Sequence, residues 1–115
     1  MTLTQLLSLL EENPSSVDFS QCMACIDAFY LFTPTRFSNG NQHNDAGQNN
    51  GSCKIFAFGL LQDLTEAQAL ACFGKYYRED VLLNPNGSNH QNIRQFIVSG
   101  WAGIHFSGQA LKARL

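Results

Sequence analysis

Apolar residues recur every three or four positions in four segments of the chain, which is the spacing of an amphipathic helix. Each segment follows a hydroxyl side chain that can accept a hydrogen bond from the first helical turn. In three of them a glutamine three residues later completes a capping box. The pattern therefore predicts four amphipathic helices, which are capped by Thr2, Ser20, Thr65 and Ser88 and cover residues 2–12, 20–32, 65–83 and 89–99.

A fifth segment, Ile55 to Leu61, contains no polar side chain. A helix that is apolar on every side cannot lie on a protein surface. We therefore predict a central helix over residues 53–62, with Ser52 as its N-cap, and expect residues 55–61 to be the most buried run of the chain.

Strand signals lie between these helices. Arg36–Ser38 and Gln42–Asn44 flank an Asn39-Gly40 dipeptide, which is typical of a type I′ hairpin turn. Ile104–Phe106 is a candidate third strand that can pair with the hairpin. The predicted fold is α+β and helix-dominated, a single domain over residues 1–115 with about five helices around a buried central helix and a small antiparallel sheet.

Composition narrows the classes of function. Only 14% of the residues are charged and the net charge is -2, with no basic cluster, which argues against a nucleic-acid partner. No apolar run approaches the roughly 18 residues of a membrane span. The four cysteines, including the Cys22-x-x-Cys25 pair, are predicted to be reduced thiols, three of them within apolar helical patterns.

Cys53 is the candidate nucleophile of the chain. A thiol in the first turn of a helix is activated by the positive end of the helix dipole, and Gln48 could supply an oxyanion-hole amide. His90 and His105 are the candidate bases. The alternative is that Cys53 is a small apolar residue of the core. The histidines show no metal-ligand spacing with Asp45 or Asp80, so the sequence predicts no metal and no cofactor.

Asparagine and glutamine are concentrated in two places. Residues 39–50 contain seven of them and residues 84–92 contain five. Arg94 and Trp101 could form one side of a polar cleft with the second region, unless Trp101 packs into the core. The predicted binding surface therefore combines loop 39–53 with the start of helix 89–99, and its candidate residues are Asn39, Asn44, Gln48, Asn49, Asn50, Ser52, Lys54, Gln91, Arg94 and Trp101.

Long motifs of the chain resemble the HopJ family, which is named for type III secretion effectors of bacteria. The similar segments are Phe37–Gly40, Ala46–Phe58, Cys72–Leu82, His90–Arg94 and Gly100–Ile104. The resemblance implies a protein of the bacterial cytoplasm that a type III system can deliver into a host cell. It implies no particular catalytic residue.

Three functions remain open at this point. The first is a compact binding domain that acts on a host or bacterial protein or on a small polar ligand. The second is a small cysteine-dependent hydrolase or transferase that uses Cys53. The third is a housekeeping protein that is never secreted.

Overall fold

The helices of the protein form where apolar residues recur at helical spacing. The computed structural model describes residues 1–114, and within them five α-helices are present: α1 (Leu3–Glu12), α2 (Phe19–Phe29), α3 (Asn50–Leu61), α4 (Glu66–Ala71) and α5 (Gln91–Ser99). Short 3-10 turns cover Pro14–Ser16 and Trp101–Gly103, and a π-helical segment covers Tyr76–Val81. The capping boxes of Thr2 with Gln5 and of Thr65 with Gln68 are confirmed.

Five short strands form two antiparallel sheets: β1 (Tyr30–Phe32), β2 (Phe37–Asn39), β3 (Gln42–Asn44), β4 (Ile104–Phe106) and β5 (Leu111–Ala113). The larger sheet has the order β3-β2-β4, so the predicted pairing of the hairpin with residues 104–106 is confirmed. The second sheet, in which β1 pairs with β5, was not predicted. Residues 30–32, which were predicted as the end of a helix, form β1 instead. The predicted α+β class with a small antiparallel sheet is confirmed.

Helix α3 lies at the centre of the core. Ile55, Phe56 and Phe58 are fully buried. The Phe56 ring contacts four other aromatic rings, which belong to the larger sheet, the end of α4, α5 and the turn after α5: Phe37, Phe73, Phe96 and Trp101. The prediction that residues 55–61 are buried throughout is wrong at the end of the run, because Leu60 and Leu61 are 47% and 52% exposed. The last turn of α3 extends beyond the core to the surface.

The predicted long helix over residues 65–83 is wrong. α4 ends at Ala71, and the chain resumes a helical course only in the π-helical segment. The break lies at Gly74, which has a φ of 59°. A side chain there would also meet the backbone of Phe19 at 2.8 Å. Gly74 therefore lets the chain turn at the point where α2 begins, which the periodicity of the sequence did not reveal.

Three of the predicted helix starts are also corrected. Asp18 caps α2 and makes a capping box with Gln21, so Ser20 lies inside the helix. Asn49 precedes α3, and Ser52 lies in its first turn. His90 precedes α5, whose start is therefore two residues later than predicted.

Two details of the sheet and of α5 differ from the predictions. The hairpin turn is Gly40-Asn41, since Asn39 pairs with Gln42. Only Gly40 has a positive φ, which excludes a type I′ turn. In α5, which was predicted as an amphipathic helix, the apolar Ile97 is exposed and the polar Asn92 is buried.

Candidate functional site

Three asparagines are buried together where the larger sheet meets α5. Asn39, Asn44 and Asn92 are 0%, 2% and 6% exposed. The Asn92 Oδ1 accepts from Asn39 Nδ2 at 3.1 Å and from Asn44 Nδ2 at 3.2 Å, and Asn92 Nδ2 donates to Asn44 Oδ1 at 2.9 Å. Asn49 Nδ2 extends the cluster by donating to Asn44 Oδ1 at 2.7 Å. These bonds link β2, β3, the residue before α3 and the first turn of α5.

The cluster lies beside a cavity with a volume of about 520 Å³. Its lining comes from the starts of α3 and α5, with Gln42 of β3, Phe19 of α2, and Phe73 and Tyr76. We call this cavity the amide cleft. Its volume is in the range of about 300–1,000 Å³ that is usual for small-molecule sites. The two segments that the sequence singled out therefore meet in one place.

Both helices that border the amide cleft start after a residue in the left-handed conformation. Asn49 has a φ of 52° and His90 a φ of 53°, and neither side chain caps its helix. Within residues 1–114, the backbone N–H groups of Gly51, Ser52, Gln91 and Asn92 donate to no protein acceptor. First-turn N–H groups carry the partial positive charge of the helix dipole. The amide cleft thus contains hydrogen-bond donors that no side chain satisfies.

An aromatic stack forms one side of the amide cleft. The rings of Phe19 and Tyr76 make an edge contact with centroids 5.1 Å apart, and Tyr76 stacks on His90 at 5.1 Å with an interplanar angle of 30°. His90 Nε2 is 2.9 Å from Asp80 Oδ2, so the carboxylate orients the imidazole. The π-helical segment therefore provides both Tyr76 and Asp80 to this side of the cleft.

Several polar side-chain groups at the amide cleft have no partner among residues 1–114. They are the amide of Gln42, the hydroxyl of Ser52 and the Nδ1 atom of His90. Asn49 and Gln91 each retain a side-chain oxygen that accepts no bond in this part of the chain, since both donate through their nitrogens. These groups can exchange hydrogen bonds with a bound molecule without breaking the fold.

The structure places Cys53 away from the amide cleft. Its thiol is 1% exposed and lies 3.6 Å from the carbonyl oxygen of Thr35. Burial raises the pKa of the Cys53 thiol above its ordinary value. A nucleophilic cysteine needs an accessible thiol with a lowered pKa. Its partner in the sequence prediction, His90, is instead bonded to Asp80. The geometry gives the cysteine-dependent mechanism no support.

Other predicted site residues lie outside the amide cleft. Lys54 forms an ion pair with Asp27 at 2.8 Å and does not line the cleft. Gln48 accepts from the backbone of Asp45 and stabilises the turn before α3. Asn50 is exposed but is absent from the lining of the cleft.

The predicted pairing of Arg94 with Trp101 as one side of a cleft is wrong. Arg94 donates to the carbonyl oxygens of Asn84 and Asn89 and fixes the loop before α5. Trp101 donates through its indole nitrogen to Leu64 O at 2.9 Å and packs on the Phe56 and Phe96 rings. Since one residue holds a loop and the other joins the core, they form no common surface.

Sequence reasoning missed several residues of the site, among them Phe19, Gln42, Tyr76, Asn92 and the Asp80 partner of His90. The sequence analysis assigned no binding role to Phe19 or Tyr76. Only the break at Gly74 brings the π-helical segment against α2 and the start of α5. A glycine within an apparent helix and the exposed aromatic after it were the available signals.

The structure adds two observations on other classes of site. No three His, Cys, Asp or Glu side chains in residues 1–114 are close enough to hold a metal ion together. No helix among the described residues has the length and hydropathy needed to cross a bilayer.

Comparison with known proteins assigns a family. The family described as HopJ type III effector protein matches residues 3–111. A solved structure titled "Crystal structure of unknown function protein VPA0580" is similar, with 55% sequence identity over 99% of this chain and 95% of that chain and a TM-score of 0.98. A comparison with curated protein sequences gives no match. The family match covers nearly the whole chain, and the chain belongs to the HopJ family.

Proposed function

We propose that the protein is a type III effector that acts as a binding domain, with the amide cleft as the site for a small polar ligand or for a polar segment of a host or bacterial protein. One observation carries the proposal. Residues 49–52 and 90–93, which are far apart in the sequence, border one cavity with unsatisfied hydrogen-bond donors and acceptors. Groups of this kind fix the orientation and identity of a ligand.

The conformation of the two helix starts supports the same proposal. A non-glycine residue in the left-handed region costs roughly 1–3 kcal/mol and persists where the surroundings hold it. The cluster of Asn44 with Asn49 fixes one such residue, and the Asp80–His90 pair fixes the other. At both helix starts, residues that line the cavity have backbone N–H groups without a protein acceptor within residues 1–114, and a bound molecule can accept from such groups.

The binding test uses a side chain that fills the cavity. In ¹⁵N-labelled protein, a set of small polar compounds should shift the backbone amide signals of Gly51, Ser52 and Gln91. Gln42→Trp places a large ring in the cleft and should abolish these shifts. His43→Trp is the matched control, because the adjacent strand residue faces the other side of the sheet. If no compound affects these signals, or if Gln42→Trp responds like the parent, the cleft is not a binding site.

Delivery into a host cell is tested separately. The full chain, fused to a translocation reporter, should enter host cells from bacteria with an intact type III apparatus. The same fusion should remain inside bacteria whose apparatus lacks its ATPase. Equal reporter signals from the two strains would contradict the effector assignment and leave the housekeeping role.

A further inference from the structure

The charge of the amide cleft restricts the class of ligand. None of the eleven residues that line it is Lys, Arg, Asp or Glu. One lining residue, His90, is hydrogen-bonded to a charged side chain, the carboxylate of Asp80. The Asp80 carboxylate beside the cleft opposes the attraction of the two helix N-termini for anions, and phosphoryl ligands are usually held by Arg or Lys. A neutral ligand therefore fits the site better than a phosphate or a carboxylate.

The aromatic stack restricts the shape of the ligand. Phe19, Tyr76 and His90 form a continuous series of ring contacts along one side of the cleft, and Tyr76 is 43% exposed. Exposed aromatic rings at a cavity offer a large apolar surface at a low cost in side-chain entropy. A pyranose ring has an apolar C–H face that packs on such rings.

The polar part of the lining supplies hydrogen-bonding groups. The free amide of Gln42, the hydroxyl of Ser52 and the first-turn N–H groups of α3 and α5 can all bond hydroxyl groups. Amide and hydroxyl groups both donate and accept, so they match a sugar hydroxyl in either direction. Aromatic rings can therefore pack on a C–H face of a sugar ring while these polar groups bond the hydroxyl groups around its edge.

A second cavity of about 180 Å³ adjoins the amide cleft and shares Phe19, Phe73 and Tyr76 with it. The three aromatic residues border both spaces, and the second is also lined by Asp18, Ser20 and Lys75, whose polar groups can bond sugar hydroxyls. Two adjacent spaces suit a ligand longer than one ring. We propose that the ligand is a neutral saccharide of two or more units that packs on Phe19 and Tyr76. This inference rests on the binding function proposed above and adds the chemical class of the ligand.

The test is a set of titrations of the full chain followed by ¹⁵N NMR. The saccharide probes are cellobiose, maltose, lactose and N,N′-diacetylchitobiose, with glucose as a single-ring comparison. N-acetylglycinamide and inorganic phosphate represent peptide and anion ligands. At least one disaccharide should shift the amide signals of Gly51, Ser52 and Gln91, and it should bind about tenfold more tightly than glucose if both cavities are used.

Variants separate stacking from hydrogen bonding. Tyr76→Leu should weaken disaccharide binding by about tenfold, whereas Tyr76→Phe, which keeps the ring, should retain it. Gln42→Met removes a free amide of similar length and should also weaken binding. His43→Met, on the other face of β3, should leave the affinity unchanged. Unchanged heteronuclear spectra away from the cleft verify that each variant is folded.

The outcomes distinguish the two proposals. Shifts at the cleft with N-acetylglycinamide or phosphate but with no saccharide would overturn the saccharide inference and support the binding function. A saccharide that binds Tyr76→Leu as well as the parent would also overturn it. A cleft that responds to no probe in either experiment contradicts both.

Discussion

Asn92 is the residue on which the buried polar cluster depends. Its side chain contacts both Asn39 and Asn44, and its backbone carbonyl accepts a further bond from Asn39 Nδ2 at 2.8 Å. Buried amides are costly unless their polar atoms are paired. In the three buried asparagines every side-chain polar atom except Asn39 Oδ1 has a hydrogen-bond partner within residues 1–114. The cluster therefore fixes β2, β3 and α5 in one arrangement, and this arrangement forms the floor of the amide cleft.

Asn92→Ala should lower the free energy of unfolding by about 1–3 kcal/mol, because it removes three side-chain hydrogen bonds with Asn39 and Asn44 and leaves these buried amides with fewer partners. Urea denaturation followed by circular dichroism measures the change. The control is Asn86→Ala, which removes an exposed asparagine that makes no side-chain hydrogen bond within residues 1–114. If both variants stay within about 0.5 kcal/mol of the parent, the cluster is not important for stability.

Cys53 should react slowly with iodoacetamide in the folded protein at pH 7. Its thiol is buried and its raised pKa keeps it protonated, so alkylation requires opening of the structure. The rate should be at least about 10³-fold below that in urea, given the usual stability of small domains. Mass spectrometry of the peptide that contains Cys53 measures it. A fast phase at neutral pH that disappears in Cys53→Ser would restore the nucleophile hypothesis.

Burial also makes the stability depend on pH. The pKa of Cys53 is raised by burial, so the folded state holds the thiol proton more tightly than the unfolded state does. The stabilisation is complete below the ordinary thiol range of about 8–9 and is lost as the pH rises through it, at up to roughly 1.4 kcal/mol per pH unit. Urea denaturation between pH 7 and pH 10 should show a shallower decline for Cys53→Ala. Parallel curves for parent and variant would contradict this contribution.

At the scale of the elements, two helix starts define the site and one interruption completes it. α3 and α5 both begin at uncapped left-handed residues that border the amide cleft. Between them, Gly74 ends the helical course after α4 and leads the chain into the π-helical segment with Tyr76 and Asp80. π-Helical turns are rare and are frequent at functional sites. The cleft has an aromatic side because this segment is not a continuous α-helix.

Gly74→Ala should destabilise the protein by at least about 1–2 kcal/mol, the cost of a left-handed conformation for an L-residue. The new methyl group would in addition meet the backbone of Phe19 at 2.8 Å and Asp18 at 3.0 Å. Gly108→Ala is the matched control, since its methyl group would lie 3.8 Å from the nearest atom. Thermal unfolding of both variants gives the comparison. A Gly74→Ala midpoint equal to that of Gly108→Ala would mean that the break needs no glycine.

The sequence predicted the elements that have strong helical periodicity or strong caps. It failed where tertiary contacts determine the backbone conformation. Thr2 and Thr65 form their capping boxes as expected. Ser52 and Ser88 do not cap their helices. The residues that precede α3 and α5 are instead Asn49 and His90, which the asparagine cluster and the Asp80–His90 pair hold in left-handed conformations. From their amide content, loop 39–53 and the start of helix 89–99 were predicted to form one binding surface, and residues of both segments line the amide cleft. The aromatic side was not predicted, because no periodic pattern shows where a helix changes direction.

At the scale of the whole molecule, α3 joins the parts that make the site. Its first turn borders the amide cleft, and its middle is buried among the surrounding elements. Phe56 contacts rings from β2, the end of α4, α5 and the turn after α5. Gly59 lies under the Trp101 ring, so this face of the helix has room for no side chain. The position of α3 therefore determines where the amide cleft opens.

Phe56→Ala tests this central role. The substitution removes a fully buried ring and leaves a cavity between four aromatic neighbours, so it should lower the free energy of unfolding by about 3–5 kcal/mol. Since small domains are stable by about 5–15 kcal/mol, most molecules should remain folded at 25 °C but unfold at much lower urea concentrations. Leu60→Ala is the control on the same helix, because its side chain is about half exposed and should cost less than about 1.5 kcal/mol. A Phe56→Ala loss no greater than that of Leu60→Ala would show that the core does not depend on α3, and that the elements around the cleft are held by the sheet and the asparagine cluster instead.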